Sequence, residues 1–162
     1  MLDLLEKASH SLNTVLLWVG AGLLVLTMIE AVANMVLRPL AHPIQGSFEL
    51  MGFASAVIAA FGLSHCQEVK SHISVDILFK ALPADLKAFL EALGNGACSL
   101  FFSIAGYRVF LLALSLWRSG EVSETLRIPF YPFTACVSLG LFALSLTLLV
   151  DVMRDISRFL RG

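Results

Sequence analysis

The segment that decides the fold is VLLWVGAGLLVLTMIEAVANMVL, residues 15–37, whose only charged side chain is Glu30. As an α-helix it would be about 34 Å long, enough to cross the hydrocarbon core of a bilayer, about 30 Å thick. The chain as a whole is also strongly apolar, since 58% of its residues are apolar and only 14% are charged. A soluble protein of 162 residues could not bury that much apolar surface. The sequence therefore predicts an all-α integral membrane protein in contact with membrane lipids.

Three further segments, residues 48–66, 92–117 and 130–150, are long enough to span a bilayer. Together the four spans are expected to form a single membrane domain. The connection RPLAHPIQG (38–46) contains two prolines and a glycine, which predict a turn before the second helix. Ser47 is expected to cap that helix, with Glu49 in its first turn. A second polar connection, RSGEVSETLRIP (118–129), ends at Pro129.

The longest connection contains an amphipathic segment, residues 71–82. His72, Asp76 and Lys80 recur every four residues, with aliphatic side chains between them. On a helix these three side chains share one face. This pattern predicts a cytoplasmic helix that lies in the membrane interface, with its apolar face towards lipid or protein. An ordinary solvated linker helix is the alternative.

The orientation in the membrane follows from the distribution of Lys and Arg, because these residues are enriched in the short loops on the cytoplasmic side. The side that holds both termini and the 67–91 connection carries Lys7, Lys70, Lys80, Lys87, Arg154, Arg158 and Arg161, whereas the other side carries only Arg38, Arg118 and Arg127. Both termini are therefore expected in the cytoplasm. In a bacterial inner membrane, the 38–46 and 118–129 connections would face the periplasm.

Three stretches, SFELMG (47–52), HISVD (72–76) and GEVSETLRIPFYPF (120–133), resemble a known family in their order and spacing. They are similar to motifs of the DctQ-like small membrane subunits of tripartite ATP-independent periplasmic (TRAP) transporters. Members of this family often carry Trp shortly after the Ile-Pro pair, where this chain has Phe130 and Tyr131. The motif residues are Glu49, His72, Asp76, Gly120, Thr125, Leu126 and Pro129.

The resemblance implies a heteromeric complex that takes up organic acids by sodium symport. A large TRAP membrane subunit would move the substrate, and a periplasmic substrate-binding protein would deliver it. The small subunit would bind neither substrate nor sodium, but would enlarge the stationary scaffold and help to dock the binding protein. The residues expected on the docking loops are Arg38, Arg118, Glu121, Glu124 and Arg127.

Two charged residues, Glu30 and Arg108, lie well inside predicted spans, each about 12–14 Å from the periplasmic helix end. Intramembrane charges are costly and are therefore functional candidates. Their equal depth and opposite sign suggest that they pair, directly or through Asn34. Contacts with a partner subunit, snorkelling to the interface and a proton-coupling role for Glu30 are the alternatives.

The second span carries small residues at four-residue spacing, Gly52, Ala56, Ala60 and Ser64. Small residues in such a row let helix backbones approach closely in lipid. The row is therefore expected to pack either within the bundle or against the large subunit.

Other function classes find little support. The net charge of −1 gives no reason to expect a nucleic-acid partner, and no enzyme motif is present. His65, Cys66 and His72 lack a fourth metal ligand, so we expect no cofactor. A stand-alone four-helix proton-coupled exporter that uses Glu30 stays as an alternative, and the histidine placement argues against a haem-binding membrane anchor. The charges cluster near the periplasmic side, so the cytoplasmic half of the bundle is expected to lack a polar path.

Overall fold

The computed structural model describes residues 2–40, 44–69 and 84–159. These residues form four α-helices, α1 (Leu2–Leu37), α2 (Ser47–Glu68), α3 (Ala84–Ser119) and α4 (Tyr131–Phe159). Each helix contains a stretch long and apolar enough to cross a membrane. The predicted all-α fold with four such helices is therefore confirmed. The amphipathic segment 71–82, with His72 and Asp76, lies outside the described residues, so its structure stays a prediction, as does the orientation of the termini.

Three of the helices extend well beyond the predicted spans. α1 and α3 each contain 36 residues, which corresponds to about 54 Å and exceeds the hydrocarbon core of a bilayer. In α1 the additional turns are held by a buried face that comprises Ser9, Asn13 and Leu16. Because these residues are spaced by four and three, they lie on one side of the helix. α3 runs without a break through the GNG sequence at 94–96.

The helices run alternately up and down, so the bundle has two distinct ends. The connections that follow α1 and α3 lie at one end, which we call the loop end. The beginning of α1 meets the last turn of α2 and the last turns of α4 at the other end, which we call the terminal end. α4 packs against each of the other three helices, and α1 also packs against α2. The central core comprises Leu16, Val57, Ala60, Phe61 and Ala143.

The closest approach between helices is that of α4 to α2. A Cβ atom added at Gly140 would lie 2.7 Å from the carbonyl oxygen of Ala60, so only glycine fits there without a shift of the backbone. The row of small residues on α2 is divided by this contact. Ala60 and Ser64 are buried in the bundle, whereas Gly52 and Ala56 are exposed. Four-residue steps drift around a helix with 3.6 residues per turn, which explains why one row faces two environments.

Candidate functional site

At the loop end, Glu49 joins α2 to the connection between α3 and α4. One carboxylate oxygen accepts a hydrogen bond from the backbone N–H of Thr125 at 2.9 Å, and the other accepts one from Leu126 at 3.2 Å. Hydrogen bonds to a charged acceptor are stronger than those between neutral groups. We call this arrangement the Glu49 clamp. It brings together two of the sequence motifs that are far apart along the chain.

The expected cap of α2 is wrong in its details. The N-cap is Gly46, which has a left-handed backbone with φ 75° and no side chain to bond. Ser47 lies inside the helix, and its buried hydroxyl has no hydrogen-bond partner among the described residues. The Leu126 side chain covers Gly46 so closely that a Cβ atom there would overlap it. The clamp and this contact therefore hold the two connections of the loop end against each other.

The connection itself folds back between α3 and α4. α3 is followed by Gly120, with φ 67°, and Arg127 also has a left-handed backbone, with φ 52°. The N–H of Ser123 donates to the carbonyl of Ile128 at 2.9 Å, and the N–H of Ile128 donates to the Ser123 hydroxyl at 3.3 Å. Pro129 and Val122 form an isolated antiparallel β-bridge. All the motif residues at 120–129 thus lie in one compact turn.

The charged residues expected on the docking loops lie at this end. Their side chains are exposed, and they are Arg38, Arg118, Glu121, Glu124 and Arg127. Arg38 also borders an open cleft of about 360 Å³, which is lined by residues of α1 and Pro39. Asn34 lies in the same cleft, and its side-chain oxygen accepts a hydrogen bond from the backbone N–H of Ile44 at 3.0 Å. Asn34 therefore links α1 to Ile44, just before the start of α2.

The structure does not bring Glu30 and Arg108 together. α1 and α3 both pack against α4 rather than extensively against each other. The Oε1 atom of Glu30 is shielded from solvent and has no hydrogen-bond partner among the described residues, and Arg108 is exposed. No ion pair of the described residues joins them. The expected pair, direct or through Asn34, is therefore absent from the part of the chain that the structure describes.

A second polar cluster lies at the terminal end, where sequence reasoning expected no polar path. Asn13 is fully buried, and its amide donates to Glu68 at 3.1 Å and to the Thr147 hydroxyl at 2.9 Å. The hydroxyls of Ser9 and Thr147 are hydrogen-bonded at 3.1 Å, and His10 contacts the Glu68 carboxylate. These bonds connect α1, α2 and α4, and sequence reasoning did not predict them.

The same cluster continues along α4. Gln67 donates to Asp151 at 3.0 Å, and Arg154 donates to Glu6 at 3.1 Å. A cavity of about 50 Å³ lies among these side chains. We call the whole set the terminal cluster, comprising Glu6, Ser9, His10, Asn13, Gln67, Glu68, Thr147, Asp151 and Arg154. The available signal was the three- and four-residue spacing of polar residues at 6, 9 and 13 and at 147, 151 and 154.

Serines also join α3 to α4 in a way that sequence reasoning missed. The Ser99 hydroxyl donates to the backbone carbonyl of Ser145 at 3.0 Å, and the Ser145 hydroxyl is 2.6 Å from that of Ser103. Ser138 donates to the carbonyl of Gly106 at 2.9 Å. Small polar residues of this kind bond across helices in lipid and let the backbones approach. These serines account for the close packing of α3 against α4.

The described residues contain no group of three or more His, Cys, Asp or Glu side chains that could hold a metal ion. Cys66, Cys98 and Cys136 are exposed and form no disulfide. The polar groups that the structure does bring together bind helices and connections to one another.

One comparison with known proteins identifies a family of membrane transporter components. The family model for the DctQ component of the tripartite ATP-independent periplasmic transporters matches residues 27–158, which is most of the chain. Neither the comparison with curated proteins nor the comparison with solved structures gave a match. The matched range includes the Glu49 clamp, the 118–130 connection, all of α2 and α3, nearly all of α4 and the last third of α1. The chain therefore belongs to the DctQ family and is a small membrane component of a TRAP transporter.

Proposed function

We propose that this chain is the stationary scaffold of a sodium-coupled transporter for organic acids, and that its loop end helps to dock the periplasmic substrate-binding protein. The observation that carries the scaffold role is the continuity of the helices. Carriers commonly use helices that are broken near the midplane, where unwound backbone coordinates substrate or ions. Here α1, α2, α3 and α4 are each continuous, and α4 ties the other three together.

The docking role is supported by the shape and charge of the loop end. The Glu49 clamp and the turn at 120–129 hold exposed charges of both signs on one surface. The excess of Lys and Arg near the terminal end favours the cytoplasm for that end. The loop end then faces the periplasm, where a delivering protein would meet it. A firmly held surface costs less conformational entropy when it binds than a flexible one does.

The large membrane subunit is the proposed partner of the intramembrane charges. An ionised side chain that faces hydrocarbon costs a few kcal/mol on insertion scales. In the part of the chain that the structure describes, one carboxylate oxygen of Glu30 has no hydrogen-bond partner, and Arg108 is exposed on α3. We expect each to meet a polar group of the large subunit. Gly52 and Ala56, which are exposed on α2, would let a partner helix approach closely at the same time.

An assembly experiment tests this interface. The chain and the large subunit are co-expressed, one is tagged, and the yield of the untagged subunit is measured after purification in mild detergent. We expect Glu30→Gln and Arg108→Gln each to lower that yield several-fold, because each leaves a polar group of the partner unpaired. Lys7→Gln, the same kind of substitution at an exposed position of α1 outside the predicted span, is the matched control and should assemble normally. Undiminished assembly of both charge variants would contradict the proposed interface.

A further inference from the structure

We infer that Glu49 is a positioning residue, whose carboxylate fixes the one conformation of the 118–130 connection that the substrate-binding protein recognises. This inference rests on the docking role proposed above. Glu49 itself is half-buried beneath the connection, so it would act through the backbone that it holds. It would therefore control binding without being the surface that binds.

The placement of the two hydrogen bonds supports this role. The clamped amides belong to Thr125 and Leu126, which lie between the exposed charges of Glu124 and Arg127. Because the two carboxylate oxygens accept from two consecutive N–H groups, they fix the orientation of the backbone at residues 125 and 126 as well as its distance from α2. The directions of the two neighbouring charged side chains follow from that orientation.

The local backbone explains why a clamp is needed. Arg127 has φ 52°, a conformation that residues with a Cβ atom adopt only where the surroundings hold them there. Besides the clamp, the holding contacts are the Ser123–Ile128 hydrogen bonds and the packing of Leu126 on Gly46. Without the carboxylate, the Arg127 backbone would relax towards ordinary φ values and the charges at 124 and 127 would point elsewhere.

Loss of the clamp should spare the fold itself. Thr125 is exposed, so its amide can bond to water once the carboxylate is gone. The helices keep their own contacts, among them the stacking of Phe53 on Phe133 at a centroid distance of 4.7 Å. The expected consequence is a connection with several conformations on an intact bundle. If Glu49 merely stabilised the start of α2, its substitution would lower the stability of the fold and leave binding of the substrate-binding protein unchanged.

The test uses the complex of this chain with the large subunit, placed in lipid nanodiscs. The probe is the purified periplasmic substrate-binding protein of the same transporter, and its Kd is measured by titration. If the competent conformation falls to about a tenth of the population, Glu49→Gln should raise the Kd about tenfold. Glu49→Asp keeps a carboxylate that is one methylene shorter, and we expect a smaller rise. Glu6→Gln, the same substitution at the terminal end, is the matched control and should leave the Kd unchanged.

A second measurement separates positioning from general destabilisation. Backbone amide exchange of the 120–130 segment should accelerate in Glu49→Gln, while exchange in α4 stays as in the unsubstituted chain. An unchanged Kd, or faster exchange throughout the helices, would overturn the inference. Charge reversal at Glu124 and at Arg127 tests the docking role separately. If reversal raises the Kd but Glu49→Gln does not, only the positioning role fails, and if neither changes it, the docking role fails as well.

Discussion

At the scale of single residues, Asn13 connects three helices of the bundle. It is fully buried, and its amide bonds both to Glu68 on α2 and to Thr147 on α4. We expect Asn13→Ala to lower the free energy of unfolding by about 1–3 kcal/mol, because it removes two hydrogen bonds and leaves a carboxylate oxygen less well satisfied. The melting temperature of the purified chain in detergent measures this loss.

Ser11→Ala is the control for this prediction, since Ser11 is exposed on the same turn of α1. Its melting temperature should stay within a degree or so of that of the unsubstituted chain, because exposed substitutions rarely cost more than about 0.5 kcal/mol. If Asn13→Ala and Ser11→Ala had the same melting temperature, the terminal cluster would contribute little to stability.

For single residues, the sequence showed which side chains are unusual but not which residues they contact. Glu30 and Arg108 stand out because a charge is rare in such apolar runs, but their equal depth carries no information about which helices are neighbours. Glu49 was recognised as part of a motif and as an acid in a first helical turn. Its actual partners are the amides of Thr125 and Leu126, more than 70 positions away in the chain. Such contacts follow from tertiary packing, which local patterns do not encode.

At the scale of helices, the contact between α2 and α4 depends on the absence of a side chain at Gly140. A Cβ atom there would be 2.7 Å from the Ala60 carbonyl oxygen, which is a backbone atom and cannot rotate away. Gly140→Ala should therefore force the helices apart and destabilise the chain by about 1–3 kcal/mol. Thermal unfolding in detergent is again the measurement.

Gly52→Ala provides the matched comparison on α2. A Cβ atom at Gly52 would lie in open space, and alanine favours a helix over glycine by about 1 kcal/mol. This variant should be as stable as the unsubstituted chain or slightly more stable. A Gly140→Ala variant that melts no lower than Gly52→Ala would show that the close approach of α2 and α4 is not needed.

The lengths of the helices show where sequence reasoning succeeds and where it stops. The four spans were predictable because a run of about 20 apolar residues is a strong physical signal. The further turns of α1 and α4 were not predicted, because their polar side chains resemble those of an exposed tail. They are helical because Ser9, Asn13 and Asp151 are buried at the terminal end, where Ser9 and Asn13 bond to Thr147 and Asp151 accepts from Gln67. The buried status of a polar residue becomes visible only when its partners are known.

At the scale of the whole molecule, the orientation in the membrane is the next prediction. We expect the terminal end in the cytoplasm and the loop end in the periplasm, because Lys and Arg are concentrated near the former. After replacement of the three native cysteines, single cysteines at the exposed positions Lys7 and Glu121 report the two ends. An impermeant thiol reagent added to intact cells should label the cysteine at 121 and leave the one at 7 unmodified. The reverse pattern would mean that the charge distribution does not set the orientation.

The central claim, that the chain is a scaffold required for transport but inert by itself, is tested by reconstitution in liposomes. The chain alone should move no solute under a sodium or a proton gradient, because its four described helices are continuous. With the large subunit and the loaded substrate-binding protein, uptake should be driven by sodium and should fail when the chain is omitted. Uptake or efflux by the chain alone, abolished in Glu30→Gln, would contradict the scaffold role and favour a proton-coupled exporter.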